Sequence, residues 1–237
     1  MTALTIVQEA CNEIGLSQPT AIFSSTDANV ITLRTMLNTQ AKLMRDAGEW
    51  VELTKEHTFS TAASTQTYNL PADYDHIVTE TAWDRSDYTK MVESINGPLW
   101  QALKSGIIQT PLAVDGFRIR GHTSGQFYVD PTPAATKTLV YEYQSKNAVL
   151  TAGGTEKLAF SIDTDTFILS EPILTLGITW RFNRQKGFAY RDQEQEYNDA
   201  VNRRFGRDGG APVIDMASGT SLWLDYPANI QEGNFLV

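Results

Sequence analysis

The sequence predicts a mixed α+β fold: N- and C-terminal helices form a helical bundle, with an inserted antiparallel β-sandwich or barrel and an extended C-terminal tail. Three observations predict it. Apolar residues recur every three or four positions over residues 2–50 and again over 171–206, as on one face of a helix. Between these stretches the period falls to two, with Thr, Tyr, Phe and Val enriched and turn residues regularly spaced. Beyond residue 209 large apolar residues continue without any Lys or Arg, and only Asp215, Asp225 and Glu232 carry charge. The predicted organisation is 1–50 with 170–208 as the bundle, 51–169 as the inserted β domain and 209–237 as the tail.

In the first stretch Leu4, Val7, Cys11 and Ile14 mark one helix, with Gly15 where a C-cap belongs. After the turn at Pro19, the residues Ser24, Ser25, Thr26 and Asp27 offer N-caps for a second helix, whose packed stripe is Val30, Leu33, Leu37, Ala41 and Met44. Its other face leaves Arg34, Gln40, Lys42 and Arg45 to solvent or to neighbours, and Gly48 stops it. Strand candidates follow at 57–59, 68–70, 77–83, 90–92, 117–120, 126–129, 138–143 and 165–169. Among them, residues 97–104 read as a helical excursion, opened by Pro98 and ended at Gly106, that covers a sheet edge. The last helix opens at Ser170, Glu171 and Pro172 and carries Ile173, Leu176, Trp180, Phe188, Tyr197, Val201 and Phe205 on its apolar side. As one helix of about 34 residues it spans roughly 50 Å, too long for a unit of this size to bury alone. Gly177 and Gly187 mark bends or close contacts in it, and Gly206, Gly209, Gly210 and Pro212 end it.

A chain of 237 residues, 41% hydrophobic and 20% charged, has the composition of a globular protein with a real core. Its single cysteine, Cys11, cannot form an intramolecular disulfide and reads as a small buried hydrophobe. No basic segment precedes an apolar run at the start, and no run approaches the ~18 apolar residues of a membrane span. Synthesis in a cytoplasm, with no membrane partner, is the expectation. The net charge of −9 argues against gripping a nucleic-acid backbone, which needs Lys and Arg to displace counterions. An acidic surface suits DNA that passes without sticking.

Carboxylate pairs at Asp73/Asp75 and Asp163/Asp165 could do acid/base work on a glycan, but turn-like surroundings make them capping residues first. His57, His76 and His122 stand apart from one another and from Cys11, without metal-ligand spacing. No phosphate-binding loop or nucleophile elbow is present, so no catalytic residue, metal or cofactor is assigned. Trp83, Trp100, Tyr141 and Tyr143 could line a sugar-binding face, although alternation along strands makes them packing residues first. Positive charge concentrates at Arg181, Arg184, Lys186 and Arg191 beside Trp180, and Asp192, Glu194, Glu196 and Asp199 follow at once. Opposite blocks in succession suit identical subunits side by side, one subunit's basic block meeting its neighbour's acidic block; the alternative is a solvated helix with internal ion pairs. The apolar tail residues Val213, Ile214, Met216, Leu222, Trp223, Leu224, Tyr226, Ile230, Phe235, Leu236 and Val237 exceed what a disordered segment carries, and they call for a berth on another chain.

The order of these parts resembles the head-to-tail adaptor proteins of tailed bacteriophages, also called connectors or tail-tubular gatekeepers. The carrying segments are TIVQEACNEIGLSQP, STDANVITLRTMLNTQAKLMRDAGEW, YNLPADYDHIVTETAWDR, GPLWQALKSG, FYVDPTP, LVYEYQSKNAV and ILTLGITWRFNRQKGFAY. The resemblance implies a virion protein at the head-tail junction, a homo-oligomeric ring of about twelve copies beneath the portal protein. It also implies a β region directed to tail tube or nozzle proteins, DNA passing through the channel without specific binding, and residues 211–237 as the portal-facing anchor. Two alternatives compete with it: a virion-associated cell-wall glycan hydrolase, and a β-sandwich receptor- or carbohydrate-binding module.

Overall fold

Side-chain oxygens start the first two helices. The computed structural model describes residues 1–91, 97–98, 101, 105, 116–120 and 125–208. Helix α1 (Ala3–Ile14) begins where Thr2 Oγ1 accepts the Thr5 N–H at 3.3 Å, and Gly15 closes it in the left-handed conformation at φ 80°. Helix α2 (Ala28–Arg45) begins where Asp27, of the four candidate caps, accepts the N–H groups of Asn29 and Val30 at 2.8 and 3.2 Å. Its C-cap is Asp46, so Gly48 is not what stops it.

The predicted last helix is two. Helix α3 (Glu171–Lys186) ends at Gly187, whose φ of 78° favours glycine, and α4 (Arg191–Asp208) starts afresh. Helix α4 also runs through Gly206 rather than ending there. Ser170 sits at the N-cap of α3 without a side-chain capping bond, which leaves Glu171 and Pro172 to favour the start.

Helix α3 is buried around most of its circumference, through Ile173, Leu174, Gly177, Ile178, Trp180 and Phe182, because α1, α2 and α4 all pack against it. Contacts fix the directions. The Met1 amine pairs with Glu171, and Thr179 Oγ1 donates to Glu13 at 2.9 Å, so α1 runs parallel to α3. Lys186 Nζ donates to Asn29 at 3.1 Å while Gly177 lies against Gln40, so α2 is antiparallel. Asn183 donates to Gln193 at 2.7 Å, which folds α4 back along α3. The break removes the surplus expected of a single long helix: of its predicted apolar side only Phe188 stands exposed, at 59%.

Gln40, on the face expected to meet solvent or neighbours, meets neighbours and is 1% exposed. It accepts from Arg181 Nε, shares a hydrogen bond with Tyr197, and joins α2, α3 and α4 at one point. A Cβ on Gly177 would lie 2.5–2.7 Å from the Gln40 side chain. Gly177→Ala is therefore expected to lose about 1–2 kcal/mol in chemical denaturation, since overpacking outweighs the ~1 kcal/mol gained in helix propensity.

The strands are β1 (Thr54–Ser60), β2 (Thr67–Asn69), β3 (Tyr74–Ile77), β4 (Trp83–Asp84), β5 (Thr89–Lys90), β6 (Gly116–Arg120), β7 (Gln126–Asp130), β8 (Thr138–Ser145), β9 (Val149–Leu150), β10 (Glu156–Lys157) and β11 (Thr166–Phe167). All pairings are antiparallel among the described residues, in three sheets: β1-β8-β4-β5 with β3 also on β8, β10-β9-β11, and β2-β7-β6. Strand β8 is the axis. Strand β1 runs along one of its edges from Thr54 opposite Gln144 to Ser60 opposite Thr138, while β4 and β3 share the other. Phe127 and Val129 of β7 meet Leu139, Tyr141 and Phe59 in an aromatic core, with Phe59 and Tyr141 5.1 and 5.7 Å from the Phe127 ring at edge-on angles.

Residues 148–169 join the helices instead: Ala148, Val149, Phe160, Phe167 and Leu169 belong to the helical core cluster. The loop before β11 also caps α1, because the N–H groups of Ala3 and Leu4 donate to the carbonyls of Asp165 and Asp163 at 2.6 and 3.1 Å.

Candidate functional site

The two charged blocks lie on either side of the Gly187 break. On α3, Arg181 lies over the Trp180 ring at 4.8 Å and Arg184 at 6.0 Å, and Lys186 lies 5.2 Å from the Phe182 ring. Burial lowers the Arg181 pKa from its ordinary value and Arg184 adds to this, while Tyr197 and Glu194 oppose it. Such a guanidinium stays charged. Arg184, Lys186, Arg191, Asp192, Glu196 and Asp199 are exposed, and Arg181 and Glu194 are half-buried. Among the described residues, no ion pair within 4.0 Å joins either block to any partner.

Trp180 anchors this region from inside. It is 6% exposed, its ring lies 6.3 Å from that of Tyr197, and its Nε1 has no hydrogen-bond partner among the described residues. The convergence of Trp180, Tyr197 and Gln40 was not foreseen from the sequence, where Gln40 was left to solvent or to neighbours; Gly177, small enough to admit a neighbour, was the available signal.

The tail residues Val213, Ile214, Met216, Leu222, Trp223, Leu224, Tyr226, Ile230, Phe235, Leu236 and Val237 lie outside the described residues, as do His122 and Trp100. Of the helical excursion, Gly97, Pro98 and Gln101 are helical, and the other positions also lie outside.

Three of the four paired carboxylates, Asp73, Asp163 and Asp165, are occupied with holding the fold. Asp73 accepts from Lys55 Nζ at 2.7 Å and from Tyr143 and Ser145 hydroxyls at 2.9 Å each. Asp163 accepts the N–H groups of Ile22 and Phe23 at 3.0 Å each, and Asp165 those of Ser161 and Ile162 at 2.7 and 2.9 Å, besides pairing with Lys157. Burial pushes the Asp73 and Asp165 carboxyls up, but these donors outweigh it and hold both below the usual aspartate value. A general acid on a glycan needs the opposite shift.

His57 stacks on Phe59 at 5.6 Å, and His76 lies 2.8 Å from Asp75. Among the described residues no group of three or more His, Cys, Asp or Glu could hold a metal ion, and no helix is long and apolar enough to cross a membrane. Tyr141 and Tyr143 are core residues, whereas half-buried Trp83 lines an open groove of about 540 Å³ with Tyr88, Val140 and the carboxylates of Glu56, Glu80 and Glu142.

The family model for the SU10 adaptor protein matches residues 1–220. The chain belongs to that family. It is a family of bacteriophage head-to-tail adaptors, so the role is that of a structural adaptor at the head-tail junction, made to bind other virion proteins and to oligomerise. No curated protein matches the chain. The match includes Val213, Ile214 and Met216 and stops before Leu222, so the family pattern spans both charged blocks and only the first of the apolar tail residues.

Proposed function

We propose that this adaptor assembles as a ring of about twelve copies beneath the portal protein, joins the capsid to the tail and lines the DNA channel. In this reading residues 1–50 and 170–208 build the ring wall. The strands within 51–169 face tail tube or nozzle proteins, and 209–237 dock on the portal. The observation that carries it is the pair of exposed, opposite blocks, Arg184, Lys186 and Arg191 against Asp192, Glu196 and Asp199, which find no ion-pair partner in their own chain among the described residues. Side by side, copies satisfy both blocks, and such contacts weaken as salt rises. The net charge of −9 supports a channel through which DNA slides. No enzymatic activity belongs to this role, and the caps and ion pairs that occupy Asp73, Asp163 and Asp165 agree with that.

Electron microscopy of the full chain mixed with its portal protein tests the reading. Rings seated on the portal are expected, with deletion of residues 211–237 abolishing attachment. Before assembly the chain is expected to be a monomer whose tail exchanges its amides freely. A stable free dodecamer with a protected tail would contradict this order of events. A second reading, a receptor- or carbohydrate-binding module, draws on the Trp83 and Tyr88 groove, and it requires the chain to bind cells or glycans without the portal.

A further inference from the structure

The outward face of α2 is more apolar than its sequence. The hydroxyls of Thr32, Thr35 and Thr39 donate to the carbonyls of Ala28, Ile31 and Thr35 at 2.9, 3.0 and 2.9 Å. They therefore present methyl groups rather than free donors. Ile31 and Leu43, 38% and 44% exposed, continue the line of Thr35 and Thr39 at a spacing of four, which makes one uncharged stripe. Along it, Thr35, Met36 and Thr39 of α2 and Arg181, Arg184 and Gln185 of α3 line a groove of about 400 Å³. One wall is neutral and the other cationic.

Such a groove suits a helix that carries carboxylates along one face. Helix α4 has one: Asp192, Glu196 and Asp199 are all exposed, and their spacing of four and three puts them on a single face over about 10 Å. In its own copy that face points away from the core, because Tyr197, Val201 and Phe205 hold the opposite one inward.

We propose that the α2–α3 groove seats the α4 helix of a second copy, with Asp192, Glu196 and Asp199 meeting Arg184 and Lys186 beside the uncharged stripe. The proposal rests on the ring reading and names the contact the ring uses. Donor and acceptor faces are different surfaces of each copy, so the contact is head-to-tail and propagates around a ring instead of closing a dimer.

Disulfide trapping tests it with the full chain and its portal protein. Thr35→Cys and Glu196→Cys variants are mixed in equal amounts, assembled and oxidised; native Cys11 is 1% exposed and stays silent. Dimers joining the two variants are expected, and neither variant alone should form them. In parallel, Arg184→Glu should weaken assembly roughly tenfold and Glu196→Arg in the same chain should restore it, the size expected of one close charge pair. Rings on the portal without the mixed disulfide would overturn the assigned seat while leaving the adaptor reading standing. Absence of any ring would overturn both. A disulfide between Thr35→Cys and Trp223→Cys within one chain would place the chain's own tail in the groove, which also overturns the proposal.

Discussion

Trp50→Ala is expected to cost about 3–5 kcal/mol of folding stability, the range for emptying a large buried aromatic site. Trp50 is 0% exposed, stacks on Phe205 at 4.2 Å and donates its indole N–H to the Met44 carbonyl at 2.8 Å. Its backbone carbonyl accepts from Gln144 Nε2 at 3.1 Å, and beside it a Cβ on Gly48 would meet the Phe205 ring at 2.6 Å. One side chain thus ties the end of α2, the end of α4 and the middle of the chain. Urea denaturation should show the loss, with Ile31→Ala as a surface control within about 0.5 kcal/mol. Hydrogen exchange should rise first at the α4 end that Phe205 anchors. A loss below 1 kcal/mol would mean that α4 does not depend on this stack.

Asp165→Ala is expected to cost about 2–4 kcal/mol, because removing a buried carboxylate strands its donors. The side chain is 0% exposed, and its loss leaves the Ser161 and Ile162 N–H groups without an acceptor and Lys157 with only the Ser161 hydroxyl, in the loop that also caps α1. The effect should depend on pH. Asp73 and Asp165 both titrate below their ordinary 3.8 in the folded chain. A native value under the unfolded one favours the charged form, so their contribution is complete above about pH 4 and is lost as pH falls through the depressed values. The melting-temperature gap between wild type and Asp165→Asn should therefore shrink below pH 4. A gap that widens in acid would reverse the assignment. A glycan hydrolase reading makes a different demand, that single substitutions at Asp73, Asp75, Asp163 and Asp165 abolish cell-wall release, whereas an adaptor is indifferent in that assay.

Much of the secondary structure was legible because it rests on short-range patterns. Val30, Leu33, Leu37, Ala41 and Met44 mark α2, and all five are buried. The cap Asp27 and the αL glycine at residue 15 are local devices that sequence reveals, whereas the Thr2 cap of α1 emerges only in the structure. The break at Gly187 was harder, since Tyr197, Val201 and Phe205 continue the apolar spacing beyond it; basic Arg184 and Lys186 just before a glycine were the readable sign of a C-terminus. Strands β9 and β10 have two residues each, too few to carry a period. At the candidate site the charged blocks were plain in the sequence. The apolar quality of α2's outer face was not, because whether a threonine hydroxyl turns back onto its own helix is settled by backbone geometry.

Among the described residues the main chain passes between the helical core and the aromatic sheet core at two places, just before Thr54 and just after Ser145, where β1 and β8 lie side by side. Two adjacent crossings behave as a double tether. A pull on the sheets loads both strands together and leaves their seven paired positions unsheared, whereas a torque must wind one strand about the other. Gln144 holding Trp50, and Lys55 bridging Asp73 and Glu156, brace that neck against swivelling, so rotation imposed at one end of the molecule is delivered to the other.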